Sequence, residues 1–159
     1  MSEQPNTSAN AVPGTIPAES IIVGNDGSAG SKKSLEAALT IAEGLNAPVV
    51  IVRCWSIDTA PHGALFDRGF VASFDEITAA VREQLITDSR AVVAKHPSVP
   101  VRHLAILGQP AETLLRLSAG HRMLVLGSRG LGGFASLLLG SVTEQCVHHA
   151  SCPVLVVRP

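Results

Sequence analysis

Met123-Leu-Val-Leu-Gly127-Ser-Arg-Gly130-Leu-Gly-Gly-Phe-Ala-Ser-Leu-Leu-Leu-Gly140-Ser141-Val-Thr-Glu144 joins an apolar run to a helix start through glycines at unequal spacing. Met123 to Leu126 reads as a strand buried on both faces, and Ser141-Val-Thr-Glu144 reads as a capping box opening a helix. Glycine lets the main chain approach a ligand without a Cβ and adopt positive φ. The free N–H groups and dipole of a helix start favour an anion beside Ser141. Read alone, the segment fits both a phosphate-holding turn and a structural loop with a good cap.

The same alternation extends in both directions. Ile21-Ile-Val23 is a short apolar strand ended by Gly24-Asn-Asp-Gly27, after which Leu35, Ala38, Leu39 and Ala42 recur at helical spacing and Gly44 closes the helix. Pro48 to Val52 is a second apolar strand, followed by an irregular loop through Asp58 to Gly63. Ser73-Phe-Asp-Glu76 is a further capping box, opening a helix that carries Ile77, Val81, Leu85, Ala91 and Val92 and runs to about Lys95 before Pro97. Val99 to Leu107 reads as a strand. Pro110 suits the first turn of the next helix, whose inner face is Leu114, Leu115 and Ala111. A helix from Ser141 to Ala150 and a last strand from Val154 to Val157 complete the series.

Strands alternating with helices, four of the five strands being continuous apolar runs, predict one doubly wound α/β unit with a largely parallel sheet and helices on both faces. Residues 1–18, rich in Ser, Asn, Pro and Gly, bury too little apolar surface to offset their ordering entropy and are expected to form a disordered arm before the α/β unit at 19–159.

Composition narrows the function classes. With 159 residues and 46% hydrophobic content, the chain is sized for one core. A net charge of −1, from 12 basic and 13 acidic side chains, leaves no electrostatic footprint for nucleic acid or an anionic membrane. No apolar run approaches the ~20 residues that cross a bilayer, and the start Met1-Ser-Glu-Gln-Pro has no basic or apolar leader, so a cytoplasmic location is expected. Cys54, Cys146 and Cys152 are odd in number and lack C-x2-C spacing, which predicts reduced thiols. His148 and His149 point about 100° apart on a helix, poor geometry for one metal. A Walker loop needs a Gly-Lys pair that the chain lacks; the turn after the first strand is not G-x-G-x-x-G; and no nucleophile elbow G-x-S-x-G occurs.

Gly127, Gly130, Gly140 and Ser141 match G-x2-G-x9-G-[ST], and in this the chain resembles the ATP-binding branch of the universal stress protein family. Leu138 to Glu144, Cys152 to Val157, Val23 to Ser28 and Gly108 to Ala111 are similar to other landmarks of that family, in the same order. The resemblance implies a five-stranded parallel sheet in the order 3-2-1-4-5 and a homodimer joined through the last strand. It also implies a nucleotide lying across the ends of strands 1 and 4. Carried over by position, Asp26 accepts hydrogen bonds from ribose or adenine, Gly24 lines the pocket, and Cys54 meets adenine through its main chain. Leu126 and Gly127 support the ribose and first phosphates, and Gly130 lets the chain turn inward. Gly140, Ser141 and Val142 hold the distal phosphates, with Mg²⁺ riding on the phosphates rather than in a protein cage. No residue stands out as a general base, so a stress-response regulator with slow or no hydrolysis is expected, the alternative being a weak ATP hydrolase. Arg53-Cys54-Trp55 and Gly24 depart from the family pattern, which leaves ATP, AMP and cyclic AMP open as the adenine nucleotide.

Overall fold

The structure, a computed structural model, describes residues 14–67, 70–132 and 136–159. Residues 1–13 of the expected arm, and 133–135 within the glycine segment, lie outside the described residues.

Five strands form the main sheet: β1 (Ile21–Gly24), β2 (Val49–Trp55), β3 (Val101–Leu107), β4 (Met123–Gly127) and β5 (Val154–Val157). They lie in the order 3-2-1-4-5 and every pairing is parallel. The winding reverses between β1 and β4, where Ile22 pairs with Leu124, and their carboxyl ends therefore flank the crevice in which ligands of such sheets lie.

Apolar side chains at alternate strand positions feed two cores. On one face Ile21, Val23, Val49, Ile51 and Val125 pack with Leu35 and Leu39 of α1 (Ala29–Leu45) and Leu85 and Val92 of α2 (Phe74–Val93). On the other, Ile22, Val50, Val52, Leu124 and Leu126 pack with Leu114 and Leu117 of α3 (Pro110–Ser118) and Cys146 of α4 (Ser141–His149). A third cluster under the β2–α2 connection centres on Trp55, whose Nε1 donates to Thr78 Oγ1 at 3.1 Å. That connection contains a turn of 3₁₀ helix at His62–Ala64 and a two-residue antiparallel ladder, Phe66–Asp67 against Phe70–Val71.

The structure departs from the sequence reading in several places, β3 starting at Val101 rather than Val99 and α2 ending at Val93. α1 runs past Gly44 and ends on Asn46, which takes the left-handed C-cap conformation at φ 51°. β2 continues through Arg53 and Cys54 to Trp55, because β3 supplies partners along its whole length. Leu117, not Leu115, is the deeper residue of α3. Residues 14–18, which composition groups with the arm, are tied to the sheet: Arg102 of β3 donates to Thr15 O, and Ile16 packs against the α3/α4-side core. Among the described residues no helix is long and apolar enough to cross a membrane.

Candidate functional site

β1 delivers Gly24-Asn-Asp-Gly-Ser28 to the rim of the crevice, and the first constraint is steric. A Cβ at Gly24 would lie 2.6 Å from Leu126 Cδ2 and 3.2 Å from Leu114 Cδ1, so glycine is what lets β1 and α3 close here. Asn25, 7% exposed, is the anchor of the turn. Its N–H donates to Val52 O at 2.9 Å, and its Oδ1 accepts from Gly27 N at 3.1 Å, closing an Asx turn that needs Gly27 at φ +85°. Arg53 fastens this turn from behind: Nε donates to Asn25 O at 3.1 Å, one terminal nitrogen to Asn25 Oδ1 at 2.7 Å and the other to Asp88 Oδ2 of α2 at 2.8 Å.

Asp26 projects across the crevice. Its Oδ1 accepts from Ser28 N at 3.0 Å, while Oδ2 accepts from Leu131 N at 2.9 Å, a bond spanning 105 positions of sequence. A Cβ at Gly130 would collide with Oδ2, so the close approach of a carboxylate, rather than an inward turn of the chain alone, is what requires glycine there. Partial burial acts to raise the Asp26 pKa, but the hydrogen bonds from Ser28 and Leu131 outweigh it and hold the carboxyl below its ordinary value.

β4 delivers the other wall. A Cβ at Gly127 would sit 3.1 Å from the carbonyl carbon of Gly30 and 3.2 Å from its oxygen, and one at Gly30 would sit 3.1 Å from Arg129 O: the start of α1 and the end of β4 interlock backbone to backbone. The glycine loop rejoins through Gly140 N, which donates to Ser128 O at 2.7 Å, and Thr143 Oγ1 ties α4 back to Gly127 O at 2.8 Å. The expected capping box at Ser141 does not form. Gly140 is the N-cap, with φ −70° and ψ 157°, no side chain caps the helix, and Ser141 is already its first residue. The Ser141 hydroxyl accepts from Gln145 Nε2 at 3.2 Å and keeps its own proton to donate. Among the described residues no side chain caps the first turn of α4, which includes the Val142 amide.

Gly24 and Leu126 meet beside Leu114 in the core, Asp26 reaches Gly130, Gly127 lies against Gly30, and Gly140 lies against Ser128 and Arg129, with Ser141 and Val142 following it at the start of α4. Cys54 lies further along, at the end of β2 against α3, where burial pushes its thiol up to about 11 despite a hydrogen bond with Thr113. Beside it is a hollow of about 230 Å³ lined by Gly108, Gln109, Glu112, Thr113 and Arg116. His148 and His149 are exposed on α4 with ring centroids 6.4 Å apart. Sequence reasoning missed Asn25, Arg53, Leu131 and Thr143. The signals available were an arginine interrupting an apolar strand and an Asn two residues before a Gly; nothing local pointed to Leu131.

The universal stress protein family model matches residues 18–158. A universal stress protein of Mycobacterium tuberculosis is 31% identical over 139 residues, which is 87% of this chain and 45% of that protein. The chain spans about half the length of the curated relatives it matches. Among solved structures, a universal stress protein of Lactobacillus plantarum superposes with a TM-score of 0.68 at 19% identity, covering 91% of this chain and 100% of that one. A universal stress protein crystallised in complex with cAMP gives 0.61 at 22% identity, covering 89% and 97%. Matched along nearly its whole described length and sharing the 3-2-1-4-5 sheet, the chain belongs to the universal stress protein family.

Proposed function

We propose that the protein binds an adenine nucleotide, ATP with Mg²⁺ in the first instance, as a cytoplasmic stress-response regulator with slow or no hydrolysis. The observation that carries this reading is the start of α4, held next to the end of β4 by Gly140 N on Ser128 O and capped by no side chain among the described residues: a helix without its own cap leaves its amides to an external anion. Gly127 and Gly140 bring main chain to the phosphates without side-chain bulk, Ser141 adds a hydroxyl donor, and Val142 an amide. Leu126 and Gly24 form the floor under the ribose, Asp26 takes its hydroxyls, and the Cys54 main chain with the adjoining hollow takes the base. This donor set suits an anion and offers no cage for a cation; Mg²⁺ belongs with the phosphates.

Cyclic AMP is the second ligand of this reading, supported by the cAMP complex of a relative of the same fold. The proposal includes a homodimer through β5, whose Val154 to Val157 are all partly exposed along a sheet edge that has no partner strand among the described residues. Titration calorimetry of the purified protein with MgATP, AMP and cAMP is the test: saturable binding of at least one, lost in Gly127→Val at matched folding, is expected, and failure of all three to bind overturns the reading. Light scattering at micromolar concentration giving a monomer mass overturns the dimer.

A further inference from the structure

Asp26 stands between two residues that a single side chain holds. Val49, Ile51 and Arg53 occupy alternate positions of β2, and the first two are buried in the α1/α2-side core, so Arg53 leaves the strand on that face, at the end where the apolar cluster stops. Its side chain is 11% exposed. A guanidinium this dry needs acceptors and a counter-charge. Nε donates to Asn25 O at 3.1 Å, one terminal nitrogen to Asn25 Oδ1 at 2.7 Å, and the other to Asp88 Oδ2, which supplies the charge, at 2.8 Å. Gln84 Nε2 holds the other oxygen of Asp88 at 2.7 Å.

Two of these bonds bear on Asp26. Asn25 O belongs to the peptide that joins Asn25 to Asp26, and because that unit is planar, fixing its oxygen fixes the direction in which the chain enters Asp26. Asn25 Oδ1 also accepts from Gly27 N at 3.1 Å, so the same guanidinium orients the acceptor that closes the turn on the far side of Asp26. The N–H of Asn25 is registered to the neighbouring residue of β2, donating to Val52 O at 2.9 Å. Gly27, at φ +85°, lets the turn fold over the guanidinium, a Cβ there lying 3.4 Å from a terminal nitrogen.

We infer that Arg53 is a positioning residue of the nucleotide site: its planar fork fixes the peptide ahead of Asp26 and the Asx turn around it, and so places the carboxylate that selects a ribose with free hydroxyls. The selection rests on the nucleotide reading above; the fork does not. Its action is geometric rather than electrostatic. Lysine at this position keeps the charge but offers a point donor on a flexible stem, which cannot hold Asn25 O and Oδ1 in one plane.

The turn is read first without nucleotide, by amide hydrogen exchange in the native chain, Arg53→Met and Arg53→Lys. The Gly27 and Ser28 N–H groups, which donate to Asn25 Oδ1 and Asp26 Oδ1, are expected to exchange about tenfold faster in both variants, while the amide of fully buried Leu39 changes less. Asn25→Ala, which removes an acceptor from the other end, is expected to do the same to Ser28. Titration calorimetry with ATP and 2′,3′-dideoxy-ATP then reads the selection. The native chain is expected to favour ATP about tenfold, as hydrogen bonds to a charged acceptor do, and the ratio to fall to about two or below in both Arg53 variants with dideoxy-ATP affinity unchanged. Native rates at Gly27 and Ser28 in Arg53→Met, or an equal acceleration at Leu39, overturn the positioning role whatever nucleotide does. A lysine variant with native rates and a native ratio overturns the fork, since charge alone then suffices. Equal losses of ATP and dideoxy-ATP affinity overturn the selection. Faster turn amides in both variants of a chain that binds neither nucleotide leave the fork standing and overturn the functional reading instead.

Discussion

The two faces of the sheet are finished to different standards. α1 and α2 are 17 and 20 residues long and each has a side-chain cap: Ser28 accepts from Ser31 N, and Ser73 and Glu76 form a complete capping box. α3 and α4 are nine residues each, and neither has one. Both faces bury an apolar cluster against the sheet, so the contrast is not one of having a core. It lies in how the helix starts are closed. A capped start contributes to stability within the molecule, whereas an open one holds donors in reserve. The two faces therefore differ in helix length and in whether a side chain closes the helix start.

That contrast breaks if the first face governs binding. Leu85→Ala, which empties a fully buried position between α2 and the sheet, is expected to cost about 2–5 kcal/mol in denaturant unfolding while leaving nucleotide affinity per folded molecule unchanged. A matching loss of affinity would mean that the two faces are not separable. Gly127→Val is expected to do both things at once. Its side chain meets the Gly30 backbone at 3.1 Å, which cannot yield as a side chain can, so about 1–3 kcal/mol of stability is lost together with binding.

The serines sharpen it further, because the same S-x-x-E pattern occurs on both faces. Ser73→Ala removes a working cap and is expected to lower stability by about 1 kcal/mol with no effect on binding. Ser141→Ala removes a first-turn hydroxyl from a helix that it does not cap; a few tenths of a kcal/mol in stability and a several-fold loss of nucleotide affinity are expected. Equal stability losses for the two serines would mean that Ser141 serves its helix after all.

These serines also mark how far the sequence can be read. The strands were legible because runs such as Ile21 to Val23 and Met123 to Leu126 are apolar on both faces, and the parallel order followed from their alternation with helices. The crevice was legible as the end of β4 because the glycines announce it. Ser73-Phe-Asp-Glu76 and Ser141-Val-Thr-Glu144 are indistinguishable as local patterns, yet only the first forms a box. The difference is tertiary: Gly140 N on Ser128 O and Thr143 on Gly127 O fix where the chain enters α4, and entry at Gly140 places Ser141 inside the helix. Gly44 reads as the end of α1, but Asn46 takes the left-handed position and its N–H reaches back to Ala42 O and Glu43 O. The Asp26 partner was beyond any local rule, since Leu131 lies 105 residues on.

Two carboxylates, one inside the α2 capping box and one reaching across the crevice ahead of α1, give the finest version of the comparison. Glu76 is held below its ordinary pKa by the Ser73 N–H within the capping box, and Asp26 by hydrogen bonds from Ser28 and Leu131 that outweigh its burial. In both cases the folded value lies below the unfolded one. The stabilisation each gives is therefore complete above the ordinary carboxylate range and is lost as pH falls through the folded value. In the ligand-free protein, carbon-13 titration of the side-chain carboxyls is expected to place both midpoints below those of exposed Asp and Glu. Saturating MgATP separates them. On the proposed reading Glu76 has no route to the ligand and is expected to stay put, while Asp26 is expected to gain phosphate charge nearby, which favours its protonated form and moves its midpoint up. A nucleotide that shifts Glu76, or leaves Asp26 where it was, lies somewhere other than the crevice between β1 and β4.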